Sequence, residues 1–386
     1  MGGKAFLSLL PDTTFPRLAP AIYASSKSSL LPRLTPLFQY VGVPHEAPEK
    51  QDYGDIDFVV ACPNASIGHE EIKNALGANV CIPSAQSDGR GTHHFAMRLA
   101  DLVPSQPAGA NEQATAEASD VYVQVDVNIR KDAQDWKNIM FFHAYGDLGM
   151  IMGRLAASVG LHLGELGLKV SSQALVPTYS PTFELSTSMP DIMSFFGLSM
   201  DRWEAGFATQ HETFEWIASS RFYVPCQISI PASRAKSRSN RSMYQAYFHW
   251  NDARAKATAQ NDGLSLQKQE TNDTETIIRQ EALVFFGKQE EHNALAQENE
   301  RRLRVKAMWN GRKVGEWTSW SGRLVGRLMK FMRQSVGEQK IGEMTEEELK
   351  QHVLQAKETI ELQLAQEQQA RESVQADVNV NTSDLE

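Results

Sequence analysis

The sequence predicts an α+β protein: a small mixed sheet flanked by helices, followed by an α-rich region and long C-terminal helices. Three observations carry that expectation. Two segments, Asp55–Ala61 and Val121–Ile129, are rich in β-branched residues and alternate with a period of two, as half-buried strands do. Helix-forming stretches at Ala19–Thr35 and His69–Leu76 frame the first of them. Beyond Pro231 the composition changes to long polar helical stretches.

The bulk numbers fit a globular protein of several domains. The chain has 386 residues, 41% hydrophobic and 22% charged, enough for a sizeable core. It holds no run of about 18 apolar residues, so no membrane partner is expected. Cys62, Cys81 and Cys226 are far apart, without the paired spacing of a zinc site, which points to a reducing compartment. Cytoplasm or nucleus is the expected location. A mitochondrial presequence is the alternative, since Met1–Arg33 carries four cations against Asp12, but four prolines there interrupt an amphipathic helix.

In order, Ala19–Thr35 reads as a helix, and Leu37–Val43 as a strand followed by a Pro-containing loop. The Asp55–Ala61 strand comes next, then a helix over His69–Leu76 with Ser66 as a candidate N-cap. A Gly/Ser loop containing Arg90 precedes a strand over His93–Leu99. Residues 104–120, rich in Ala, Gln, Pro and Gly, are expected to form a disordered insertion before the Val121–Ile129 strand. Asn138–Val159 reads as helix with a break at Gly146-Asp147. Val170 and Thr182–Leu185 suit short strands. Ser188 and Asp191 mark a helix start, and Thr209–Ser219 is an amphipathic helix with Phe214 and Trp216 on its core side. Long helices are expected over Met243–Ala259, Glu275–Lys306, Gly322–Gln334 and Thr345–Glu372, then an unstructured tail. The domain division expected from this reading is 20–132, 133–230, a basic helical region at 231–340, and an acidic helix with tail at 341–386.

The chemistry concentrates in the first strand. Tyr53-Gly54-Asp55-Ile56-Asp57 opens an apolar run with two carboxylates two residues apart, hence on one face. Asp is depleted in strands, and a same-face pair repels unless something positive lies between. Asp126, on the polar face of the second strand, is a third candidate. If the strands are neighbours, three carboxylates converge, and Mg²⁺ or Mn²⁺ is held by such oxygens with substrate phosphates completing the shell. The bland alternative is a set of solvated carboxylates at a strand edge. His93-His94 offers a further metal candidate, but adjacent strand residues point to opposite faces, so only one could serve.

This arrangement resembles the polymerase-β-like nucleotidyltransferase superfamily, which includes poly(A) polymerases and CCA-adding enzymes, over roughly residues 20–132. The Tyr53–Asp57 core is also similar to that of a largely fungal branch of it. The resemblance implies a nucleotidyltransferase palm in which Asp55 and Asp57 bind both metal ions and Asp126 completes the catalytic one. It also implies transfer of a nucleoside monophosphate from a nucleoside triphosphate to a hydroxyl. One departure stands out: the family has a small Gly-Gly or Gly-Ser pair after its first strand, whereas here Gly42 is followed by Val43. Lys50, Tyr53, Gly54 and Arg90 are the other candidates for gripping the nucleotide. Just after the Asp126 strand, His143, Tyr145 and Asp147 stand where a base or ribose could be held, with packing and helix capping as the structural alternatives. Arg221 could reach a phosphate or form a surface ion pair.

The second informative stretch is basic. Residues 301–334 hold ten Lys/Arg against Glu316 alone, and residues 341–386 hold eleven Asp/Glu against three cations. Arg301, Arg302, Arg304, Lys306, Arg312, Lys313, Arg323 and Arg327 interleave with Trp309, Trp317 and Trp320, a pattern suited to phosphates and stacked bases. A second patch runs from Arg234 to Arg241, with Tyr244, Tyr247 and Trp250 following. The alternative is a basic surface neutralised by the chain's own acidic helix. The function expected is Mg²⁺-dependent nucleotide transfer with RNA as acceptor. Its rival is an inactive nucleotidyltransferase fold that binds nucleic acid or scaffolds a partner.

Overall fold

The computed structural model describes residues 4–85, 87–102, 121–231, 236, 238–262 and 271–383. The insertion expected at 104–120 lies outside the described residues. The protein is a mixed α+β structure. Its chain divides into two compact units, Met1–Ser171 with Phe183–Lys288, and Ser172–Thr182 with Gln289–Glu386. The division at 288 thus falls inside the segment that composition sets apart as 231–340. No helix among the described residues is long and apolar enough to cross a membrane. Cys62, Cys81 and Cys226 are free thiols.

The first unit is built on a five-stranded sheet. Its strands are β1 (Phe38–Gly42), β2 (Asp55–Pro63), β3 (Val80–Ile82), β4 (Gly91–Arg98) and β5 (Tyr122–Arg130), in the spatial order β1-β2-β5-β4-β3. The central pair, β2 and β5, is parallel, and every other pair is antiparallel. Helices α1 (Pro20–Leu34) and α2 (His69–Leu76) are buried against one face. There Ile56, Phe58 and Val60 of β2 and Val123, Val125 and Val127 of β5 join Leu30, Leu34, Ile72 and Leu76 in one apolar core. The alternation of both strands dictates this, because it gives each a fully apolar side. Helix α2 is capped at Gly68, not Ser66: the Gly68 amide donates to the Glu71 carboxylate, the half of a capping box that needs no side chain at the cap itself.

On the other face lies α3 (Ala133–Phe142), capped by Asp132 and pinned by Trp136, whose indole N–H donates to the Val59 carbonyl at 2.9 Å. After the turn at Tyr145-Gly146 comes α4 (Leu148–Ser158), then a small sheet ordered β6-β7-β8 from Leu161–Gly164, Gly167–Ser171 and Thr182–Ser186. Helices α5 (Met189–Phe196), α6 (Met200–Ala205), α7 (Gln210–Ala218), α8 (Ser242–Asp262) and α9 (Thr271–Phe285) complete the unit. Ser188 caps α5 as its sequence suggests, and Thr209 caps α7. Phe195, Phe196, Phe214 and Trp216 are core, as are Tyr244 and Tyr247 of the second basic-aromatic patch.

The second unit is helical: α10 (Gln289–Met308), α11 (Gly311–Thr318), α12 (Gly322–Ser335), α13 (Glu338–Glu343) and α14 (Glu346–Ser383). The single helix expected over Glu275–Lys306 is two, because the chain turns at Gly287, where φ is +65°. The tail expected at the C-terminus continues α14 to Ser383, since the stretch from Thr345 onward contains no Gly or Pro to stop it.

Candidate functional site

The parallel pairing of β2 and β5 fixes the site. Asp55 pairs with Gln124, Asp57 with Asp126 and Val59 with Asn128. Across β5, the partners on β4 are Ala96, His94 and Thr92. Three rows therefore run over one face: Asp55–Gln124–Ala96, Asp57–Asp126–His94, and Val59–Asn128–Thr92. The three acids predicted from sequence share this face. His94 shares it too. His93 takes the other face, buried beside Phe95, with its Nδ1 accepting from the Ser84 amide.

The electrostatics follow from that crowding. Solvent reaches Asp57 through a cleft, yet protein closes in on its other sides. Burial first, then repulsion from Asp55 and Asp126, pushes its carboxyl up to about 7. Burial likewise raises Asp126, against the opposing pull of its hydrogen bonds. The Asp126 Oδ1 accepts from His94 Nδ1 at 2.8 Å, and Gln124 Nε2 donates to both its oxygens at 2.9 and 3.0 Å. Among the described residues, no three His, Cys, Asp or Glu side chains form a ready-made metal cage. The donor types nevertheless fit a hard divalent cation, because carboxylates crowded on one face, with Lys50 offsetting only part of the repulsion at Asp57, are what such a cation neutralises.

A cleft of 580 Å³ opens at Asp57, with Val59, Thr92 and Asn128 also in its lining; Asp55 and Asp126 do not line it. That volume suits a ligand of nucleotide size. Glu46 and Lys50 form one part of its wall. The Tyr23 hydroxyl donates to Glu46, whose other oxygen lies 2.6 Å from Lys50 Nζ. His143, Glu165 and Arg241 also line it. His143 and Arg130 both bond Glu165, at 2.9 and 3.5 Å, and His143 first among them lowers that carboxyl. Arg241 is held by Asp147, which also accepts from the Tyr244 amide; Asp147 thus anchors α8 and makes no side-chain cap for α4. Gly146 (φ +70°) is required in this wall, since a Cβ would stand 2.8 Å from Ala47.

The other nucleotide-gripping candidates fall as follows. The space beside Gly42 is filled by Trp136 and Met140, which a Cβ would meet at 2.8 and 2.9 Å, so packing of α3 on β1 accounts for this glycine. Tyr53 is buried, stacked on Tyr23 with ring centroids 3.8 Å apart and with Lys50 4.4 Å from its ring. Gly54 forms the bend that leads into β2. Arg90 is bound to Asp135 at 2.7 Å and Asp88 at 3.0 Å. Tyr145 packs on His45 and donates to the Trp203 carbonyl. Arg221 pairs with Glu281 at 2.7 Å.

In the second unit the cations are largely committed. Arg301 and Arg302 both bond Glu298, Arg304 donates to the Gly342 carbonyl, and Arg312 pairs with Glu316. Lys313 meets Glu346 at 2.6 Å, and Arg327 holds Glu367 with two bonds. Lys306 and Arg323 are exposed. Trp309 is buried, and Trp317 and Trp320 pack against the same helical core with Val314, Leu328 and Leu349. The acidic helix thus supplies partners for part of the basic face; the Trp309 indole is buried, and those of Trp317 and Trp320 are half-buried.

Sequence reasoning missed Gln124 and Asn128, though both were readable, two residues before and after Asp126 on the same face. Glu46 carried no such signal, and Arg241 was readable only as the end of the second basic patch, because the place of each in the cleft depends on tertiary packing. Comparisons with protein-family models, curated proteins and solved structures return no match.

Proposed function

We propose that this protein is a Mg²⁺-dependent nucleotidyltransferase of the polymerase-β-like kind, with the five-stranded sheet as its palm. It moves a nucleoside monophosphate from a nucleoside triphosphate to a hydroxyl, with RNA as the acceptor class. The observation that carries this reading is the parallel register that sets Asp57 beside Asp126, with Asp55 two residues away on the same face. Asp55, Asp57 and Asp126 would hold the cations. Mg²⁺ or Mn²⁺ supplies there the acidity that ionises an acceptor hydroxyl and the charge that stabilises departing pyrophosphate. Lys50, reaching into the same cleft, neutralises phosphate charge, and Glu46 fixes its position. Asn128 and Thr92 offer neutral hydrogen bonds on the floor.

A second reading has its own support. Asp126 is engaged by His94 and Gln124, and Gly42 is packed against α3, which favours a fold that binds nucleic acid or a partner without turnover. Incubation of the full chain with each labelled triphosphate, Mg²⁺ or Mn²⁺ and bulk RNA separates the two. Label incorporated by wild type and lost in Asp55→Ala/Asp57→Ala supports the enzyme. No incorporation by either, with equal RNA binding, supports the binding module.

A further inference from the structure

Gln124 sits between the acids of the two central strands. It lies opposite Asp55 in the β2–β5 register and two residues before Asp126 on the same face. Its side chain is buried, and its amide nitrogen lies nearly equidistant from both Asp126 oxygens, at 2.9 and 3.0 Å. A donor so placed sits between the oxygens, on the side from which a chelating cation approaches a carboxylate. His94 adds a third contact on Oδ1 at 2.8 Å. Asp126 thus has both oxygens occupied by protein donors, and among the described residues no three acids form a ready-made cage although three share one face.

We infer that Gln124 is a built-in plug of the metal site: it holds Asp126 in place of a divalent cation and must turn away before Asp126 can join Asp55 and Asp57. The inference rests on the metal-site reading above. A neutral amide satisfies the Asp126 oxygens without cancelling their charge, so a dication outcompetes it where one is available. Gln124 is a positioning residue in this account. The contrary role, a support that orients Asp126 as a ligand, makes the opposite prediction, since removing such a support weakens metal affinity about 10–100-fold.

The sign of the effect decides between them. Mn²⁺ binding to the full chain is titrated by electron paramagnetic resonance for wild type, Gln124→Met, Gln124→Ala and Asp55→Ala/Asp57→Ala, beside metal-free thermal melts. Gln124→Met keeps the side-chain length and serves if the alanine variant fails to fold. The expected result is Mn²⁺ binding about tenfold tighter in Gln124→Met, together with a lower metal-free Tm, because Asp126 loses its donor. A residue that is merely structural would lower both. Unchanged or weaker Mn²⁺ binding in Gln124→Met, with wild-type binding that depends on Asp55 and Asp57, overturns the plug and leaves the metal site standing. No Mn²⁺ binding by any variant overturns both.

Discussion

At Asp57 a carboxyl that ordinarily ionises at about pH 4 keeps its proton to about 7, because burial and the charges of Asp55 and Asp126 oppose its ionisation. The folded state therefore binds this proton more tightly than the unfolded chain does. Its contribution to stability is complete below about pH 4, declines as pH rises and is gone above about 7. In metal-free buffer, the Tm of wild type should fall between pH 4 and 7 relative to Asp57→Asn, and Mn²⁺ should restore it at pH 7. Parallel melting curves for the two proteins across that range would refute the assignment. Gly42 supports a separate prediction. Its Cβ position is 2.8 Å from the Trp136 ring, so Gly42→Ala should cost about 1–3 kcal/mol through overpacking while leaving nucleotide affinity unaltered. A Gly42→Ala protein of full stability with weakened triphosphate binding would return this glycine to the phosphate-gripping role that its place at the end of β1 suggests.

Among the elements, the two central strands were legible because β-branched residues alternate so strictly in them that one face could only be apolar. Their parallel pairing was not legible, since it depends on β3 and β4 lying outside β5 in the sheet. His94 could not be assigned to the site before that register was known. The helices of the second unit show the converse. Their cations and indoles were plain in sequence, but the pattern did not tell whether the indoles face solvent or core, and helical packing buries Trp309 and half-buries Trp317 and Trp320. Trp309→Ala should therefore destabilise the unit by about 3–5 kcal/mol, measured by denaturant unfolding. Breaking the exposed Arg327–Glu367 pair by Arg327→Ala should leave the denaturant midpoint almost unmoved, because water and salt screen such pairs. A Trp317→Ala variant that keeps its stability but loses RNA affinity would instead make that indole a base-stacking surface.

On the scale of the molecule, each unit has an apolar core of its own, around Phe58 and Val125 in the first and Leu328 and Leu349 in the second. Leu328→Ala should cost the second unit about 2–5 kcal/mol. Hydrogen exchange would check this: amides of α12 and α14 should lose protection while those of β2 and β5 keep theirs. Composition divided the chain elsewhere, because a shift in polarity records how much of each helix meets water, not which core its apolar stripe enters. Helix α8 begins just past the basic stretch near Arg238, yet Tyr247 on it packs against Phe214 of α7 in the first unit.

The path between β7 and β8 has a practical consequence. There the chain leaves the first unit, contributes 172–182 to the second and returns, and the amide of Asn299 on α10 donates to the carbonyls of Ala174 and Val176. A shortened expression product ending at residue 288 would strand that excursion with its carbonyl acceptors bereft. Isolating the first unit cleanly takes a splice joining Ser171 to Phe183 as well as removal of everything after Lys288, not one terminal deletion.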